Sequence, residues 1–114
     1  MSALTTIPLR QQRDSDGLRR LDASRRPDGG IVLEGHDLGP GVERLWGEGL
    51  TEYEWAWSLE ADAVPAAVAA LGGADGDDPL RVIGTWYDAN GGLDPGIRLR
   101  EAGVAVEFWS RVGD

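Results

Sequence analysis

Residues 52–60 read Glu-Tyr-Glu-Trp-Ala-Trp-Ser-Leu-Glu, and this alternation constrains the fold more than any other stretch of the chain. In an extended backbone Tyr53, Trp55, Trp57 and Leu59 share one face, while Glu52, Glu54, Ala56, Ser58 and Glu60 share the other. A helix would scatter both sets around its circumference. The segment therefore predicts a β-strand whose aromatic face is buried and whose carboxylates meet water.

The neighbouring segments supply partners for that strand. Leu18 to Ser24 and Ile31 to Glu34 flank Pro27-Asp28-Gly29-Gly30, and they predict a β-hairpin because proline pre-sets one turn position and glycine accepts positive φ. Upstream, Leu4, Ile7 and Leu9 alternate around Pro8, which cannot donate to a ladder; residues 1–16 are expected as an edge strand or a loose arm. Val42 to Trp46 fits one or two helical turns after Gly39-Pro40-Gly41. A helix is predicted over Ala61–Leu71, with Asp62 as its N-cap. Asp78-Pro79 and Asp94-Pro95 each place a capping carboxylate before a proline at the first helical position, which predicts two further helices. Val104, Val106 and Phe108 alternate as a last strand. The 114 residues are expected to form a single α+β domain, with a small mixed sheet and two to three helices on one face. The long connection from the aromatic strand to the last one allows those two to run parallel.

Charge narrows the function classes. The chain has 20 acidic and 11 basic residues, no lysine and no cysteine. Six arginines and four aspartates lie in residues 1–33, whereas five arginines and sixteen carboxylates follow. Such a body repels nucleic acid and anionic membranes and attracts basic protein surfaces. The absence of cysteine excludes disulfides, thiolate zinc sites and cysteine nucleophiles. No apolar run resembles a leader or a membrane span, so a cytoplasmic protein is expected. The abundance of Arg, Ala, Gly and Pro without lysine matches a GC-rich genome.

Catalytic and metal motifs are weak. His36 beside Asp37 is the one arrangement that hints at a general base, but adjacent residues rarely orient one another, and a loop histidine is expected. Asp75, Asp77 and Asp78 break the calcium-loop frame at Pro79 and Trp86, and Asp88, Asn90 and Asp94 break it at Leu99. No metal and no cofactor are expected. Trp55, Trp57 and Trp86 fall on core faces. Trp46 sits in a glycine-rich connector, and Trp109 falls opposite Val106 and Phe108; an exposed tryptophan among carboxylates is the composition of an interface hot spot.

The run Gly35-His36-Asp37-Leu38-Gly39-Pro40-Gly41, the strand Glu52-Tyr53-Glu54-Trp55, the segment Ala70-Leu71-Gly72-Gly73 and the closing Glu107-Phe108-Trp109-Ser110 resemble a group of small acidic actinobacterial proteins of immunity-protein type. The resemblance covers about residues 17–114 and implies no catalytic residues. It implies a non-catalytic domain that occludes a basic, nuclease-like toxin. The partner-binding residues expected on that reading are Glu34, Asp37, Glu43, Trp46, Glu48, Glu52, Glu54 and Trp109. The alternative is a small enzyme or ligand-binding domain with a pocket between sheet and helices, and a homodimer through an edge strand is compatible with either.

Overall fold

The structure, a computed structural model, describes residues 5–113. Five strands, β1 (Thr6–Asp14), β2 (Gly17–Arg25), β3 (Ile31–Leu38), β4 (Glu52–Leu59) and β5 (Glu107–Gly113), form one sheet in the order of the chain. The domain is α+β as expected, with α1 (Pro40–Trp46), α2 (Val64–Ala70), α3 (Pro79–Ala89) and α4 (Pro95–Glu101) packed against the sheet. Every neighbouring pair of strands is antiparallel, including β4 with β5. The expectation of a mixed sheet is thereby corrected: three helices return the chain to the same end of the sheet from which β4 left.

The N-terminal segment is an ordered edge strand over Thr6–Asp14, with its register shifted between Pro8 and Arg10; Leu4 lies outside the described residues. β3 continues through Gly35-His36-Asp37 to Leu38, so His36 belongs to a strand and not to a loop. Asp62 does not cap α2: it lies within a short 3-10 turn, Ala61–Ala63, and no side chain caps either end of that turn. The other two caps form as predicted. Asp78 Oδ1 accepts from the Leu80 amide at 3.1 Å and Asp94 Oδ1 from the Gly96 amide at 2.9 Å. Each cap satisfies one of the orphan amides of a first turn.

The pleat assigns the faces. Ala23, Leu33, Trp57 and Phe108 lie in one row across β2 to β5, and Leu21, Gly35, Trp55 and Ser110 in the next. This face meets α2, α3 and α4 through Val68, Leu80, Ile83 and Leu99. Two glycines admit the large indoles. Gly35 lies directly opposite Trp55, whose ring covers it, and Gly96 at the start of α4 lies beneath the ring of Trp57. A Cβ at either position would overlap the ring. Trp57 is only 2% exposed, and its Nε1 donates to Asp94 Oδ2 at 3.0 Å. Asp94 thus caps α4 and binds the sheet with the same carboxylate. Phe108 lies 4.5 Å from Trp57 between ring centroids, and the Arg100 guanidinium sits over the same indole at 4.9 Å.

Trp57→Ala should cost about 3–5 kcal/mol, a large share of the roughly 5–15 kcal/mol available to a domain of this size. Gly96→Ala should also destabilise, by about 1–3 kcal/mol, although alanine is the better helix former at an open site. Urea titration measures both. A stabilising Gly96→Ala would contradict the seating of the indole on this glycine.

Candidate functional site

The opposite face of the sheet carries no helix and is built by the alternate residues of the same strands. Across β2 to β5 one row reads Arg20, His36, Glu54, Arg111, and the adjoining row reads Asp22, Glu34, Ala56, Trp109. Cross-strand neighbours of this kind stand about 5 Å apart, within reach of long side chains. Ala56 is the smallest side chain in its row. It floors a shallow open basin of about 320 Å³, walled by Trp109 and by Arg20, Asp22, Glu34, His36 and Glu54. Trp109 is 53% exposed there.

The charges of this face are partly satisfied within it. His36 Nε2–H donates to Glu52 Oε2 at 2.7 Å and stands 3.7 Å from Glu54 Oε1. Arg111 donates to Glu52 Oε1 at 2.6 Å, and its Nε lies 3.7 Å from Glu54 Oε2. The hydrogen bond from His36 and the nearby Arg111 charge hold the Glu52 carboxyl below its ordinary range. Arg20 pairs with Asp22 at 3.4 Å. Glu34 and Glu107 have no ion-pair partner among the described residues.

Of the residues expected to bind a partner, the structure brings Glu34, Glu52, Glu54 and Trp109 together on this face. Asp37 and Trp46 lie on the other side of the sheet, because the pleat sends Asp37 opposite to His36. That geometry also removes Asp37 as an orienting partner of His36; the carboxylates that meet the imidazole are Glu52 and Glu54. Glu43 lies on α1 and accepts from the Gly49 amide at 3.1 Å, and Glu48 sits in the exposed turn between them.

Trp46 stacks on Tyr53, and Tyr53 on Trp55, at 5.2 Å between centroids in each case. This aromatic column borders a second concavity, of about 240 Å³, between α1 and the sheet, lined by Arg10, Arg19, Asp37, Tyr53, Trp46 and Leu45 among others. Burial raises the Asp37 carboxyl above its ordinary value of 3.8, opposed in part by Arg19 and Arg10. Between the sheet and α2 to α4 the apolar interior around Ile31, Leu59, Val68 and Leu99 leaves only about 10 Å³, room for one water at most. A wider, open concavity of about 530 Å³ borders that layer, lined by Arg25, Val64, Val68 and residues 75–79.

Sequence reasoning did not connect His36 to Glu52 and Glu54, whose donor atoms, one from each residue, lie within 4.8 Å of one another. A signal was present: once β3 is extended to Leu38, its register with β4 sets His36 directly opposite Glu54. One imidazole and two carboxylates form a donor set that a divalent cation could use. The guanidinium of Arg111 already bridges both carboxylates, so a cation would have to displace it. The acidic loops serve structure: Asp77 accepts from the Ala74 amide and pairs with Arg81, while Asp78 and Asp94 cap helices. No protein-family model, curated protein or solved structure matches this chain.

The raised Asp37 carboxyl opposes folding as pH climbs from 3.8 through its folded value, so Asp37→Asn should melt at or above the wild type at neutral pH, with the gap closing in acid. Glu52 has the opposite sign. Its lowered carboxyl contributes stability above its ordinary value of 4.5 that disappears as pH falls through the folded value, so Glu52→Gln should melt below the wild type at neutral pH and match it in acid. Paired thermal melts across pH check both signs. In the same assay, micromolar zinc or calcium should not raise the melting temperature, since Arg111 holds the only His-carboxylate cluster found among the described residues.

Proposed function

We propose that this chain is a non-catalytic, cytoplasmic protein-binding domain of the immunity type, which occludes a basic, nuclease-like toxin with the helix-free face of its sheet. The observation that carries the reading is Trp109, half-exposed at the rim of an open basin beside the unpaired carboxylate of Glu34. A partner's arginine or lysine entering the basin meets a carboxylate and an indole wall together, and both interactions favour a cation. The net charge of −9 supplies long-range attraction to such a partner, and the flat surroundings suit a protein surface better than a small molecule. The resemblance of the sequence motifs, size and acidity to small immunity-type chains and the lack of a legible nucleophile–base pair support the same assignment.

The concavity beside α1 favours the second reading, a small-ligand domain. At about 240 Å³ it falls below the roughly 300–1,000 Å³ that encloses a drug-sized ligand. The two readings separate experimentally. Co-expression with the effector encoded by a neighbouring gene should protect cells from that effector. Glu34→Gln should slow association several-fold and flatten its salt dependence, and Trp109→Ala should speed dissociation by on the order of tenfold or more. Both variants should melt near the wild type. Failure to protect would overturn the toxin assignment, and protection insensitive to both substitutions would place the interface elsewhere.

A further inference from the structure

The two edges of the sheet are built differently. The β1 edge carries Pro8, which has no amide hydrogen, and a register shift between Pro8 and Arg10 that interrupts the ladder. Proline and bulges are devices that keep an edge from pairing with another chain. The β5 edge has neither. Its seven residues Glu107–Gly113 run in unbroken register with β4 and contain no proline and no lysine. The strand is exposed along most of its length, and it shows an aromatic on each face: Phe108 at 46% and Trp109 at 53%. The helix layer does not cover it, since α4 ends over Trp57 on β4.

We infer that β5 pairs antiparallel with β5 of a second copy of this chain, about a two-fold axis through Trp109. The charge order of the strand selects this register. With Trp109 opposite itself, Glu107 faces the partner's Arg111 and Arg111 faces the partner's Glu107 on the helix-free face, giving two ion pairs. Phe108 faces the partner's Ser110 on the helix side. Moving the axis to Ser110 sets Glu107 against the partner's Gly113, and moving it to Phe108 sets Glu107 against the partner's Trp109. Neither alternative gives Glu107 a cation, and it has none within its own chain among the described residues. Arg111 can accept the extra carboxylate. It contacts Glu52 and Glu54 from one side, and its side chain is 51% exposed. A guanidinium has five donors. The product is a ten-stranded sheet in which the two basins of the helix-free face flank a central tryptophan pair. The pairing does not rest on the proposed partner, and Glu34 stays open in it.

The test uses the purified chain alone, so its outcome is separate from that of any toxin assay. Sedimentation equilibrium at high-micromolar concentration should give twice the mass of one chain. Glu107→Arg, which sets like charges across the axis twice, should raise the dimer dissociation constant by on the order of tenfold without lowering the melting temperature. Directly opposed antiparallel residues have Cα atoms about 4.5–5.5 Å apart, inside the disulfide range of about 4.4–6.8 Å. In this cysteine-free background Trp109→Cys should therefore cross-link under mild oxidation at least about tenfold faster than Ser110→Cys or than Leu45→Cys, an exposed control on α1. A monomer at high-micromolar concentration would overturn the inference. So would a cross-linking rate at position 109 no greater than at 45, or a maximum at 110.

Discussion

One buried indole ties α4 to the sheet. Trp57 lies in the middle of β4, its ring seated on Gly96 and its Nε1–H donated to Asp94, which also caps the helix that contains Gly96. Three requirements meet there: a flat surface without a side chain, a buried donor that needs an acceptor, and a first-turn amide that needs one too. One aspartate meets both hydrogen-bonding needs. No buried side-chain nitrogen or oxygen among the described residues lacks a partner. That economy explains how helices of seven residues, too short to persist alone, are held in place.

The pleat of the sheet then divides labour between its faces. Side chains that point toward the helices build the core, and their neighbours in sequence build an open polar surface. The same alternation that buries Trp57 exposes Trp109, since the register pairs Trp57 with Phe108 and Ala56 with Trp109. The small Ala56 leaves a basin where a larger residue would fill the face. His36, Glu52, Glu54 and Arg111 form a connected polar network beside that basin, which pre-orients its rim and leaves Glu34 as the carboxylate available to an incoming cation.

Much of this was legible in the sequence because it depends on local chemistry. The Asp-Pro pairs at 78–79 and 94–95, the Pro-Asp-Gly-Gly turn and the alternation of β4 all act within a few residues, and each forms as expected. What was missed depends on contacts distant in the chain. Gly35 resembles a loop residue until Trp55, twenty positions later, is seen to lie on it; with that pairing β3 runs on to Leu38 and carries His36 into a strand. The expected partner surface was a cluster in sequence, and the pleat split it, sending Glu34, Glu52 and Glu54 to one side and Asp37 and Trp46 to the other. The direction of β5 was equally hidden, because three short helices can return a chain to either end of a sheet. Val104 and Val106, expected within the last strand, precede it, and Val104 packs into the core instead.

The Trp57–Asp94 hydrogen bond couples α4 to the sheet, and native-state hydrogen exchange of Trp57→Phe separates this tie from the packing around it. Phenylalanine keeps an aromatic ring over Gly96 but removes the donor. Amides of α4, residues 97–101, should lose protection in this variant while those of β2 and β3 keep theirs, because the helix opens locally once its tie is cut. Uniform loss across the sheet and all helices, or α4 protection equal to that of the wild type, would contradict it.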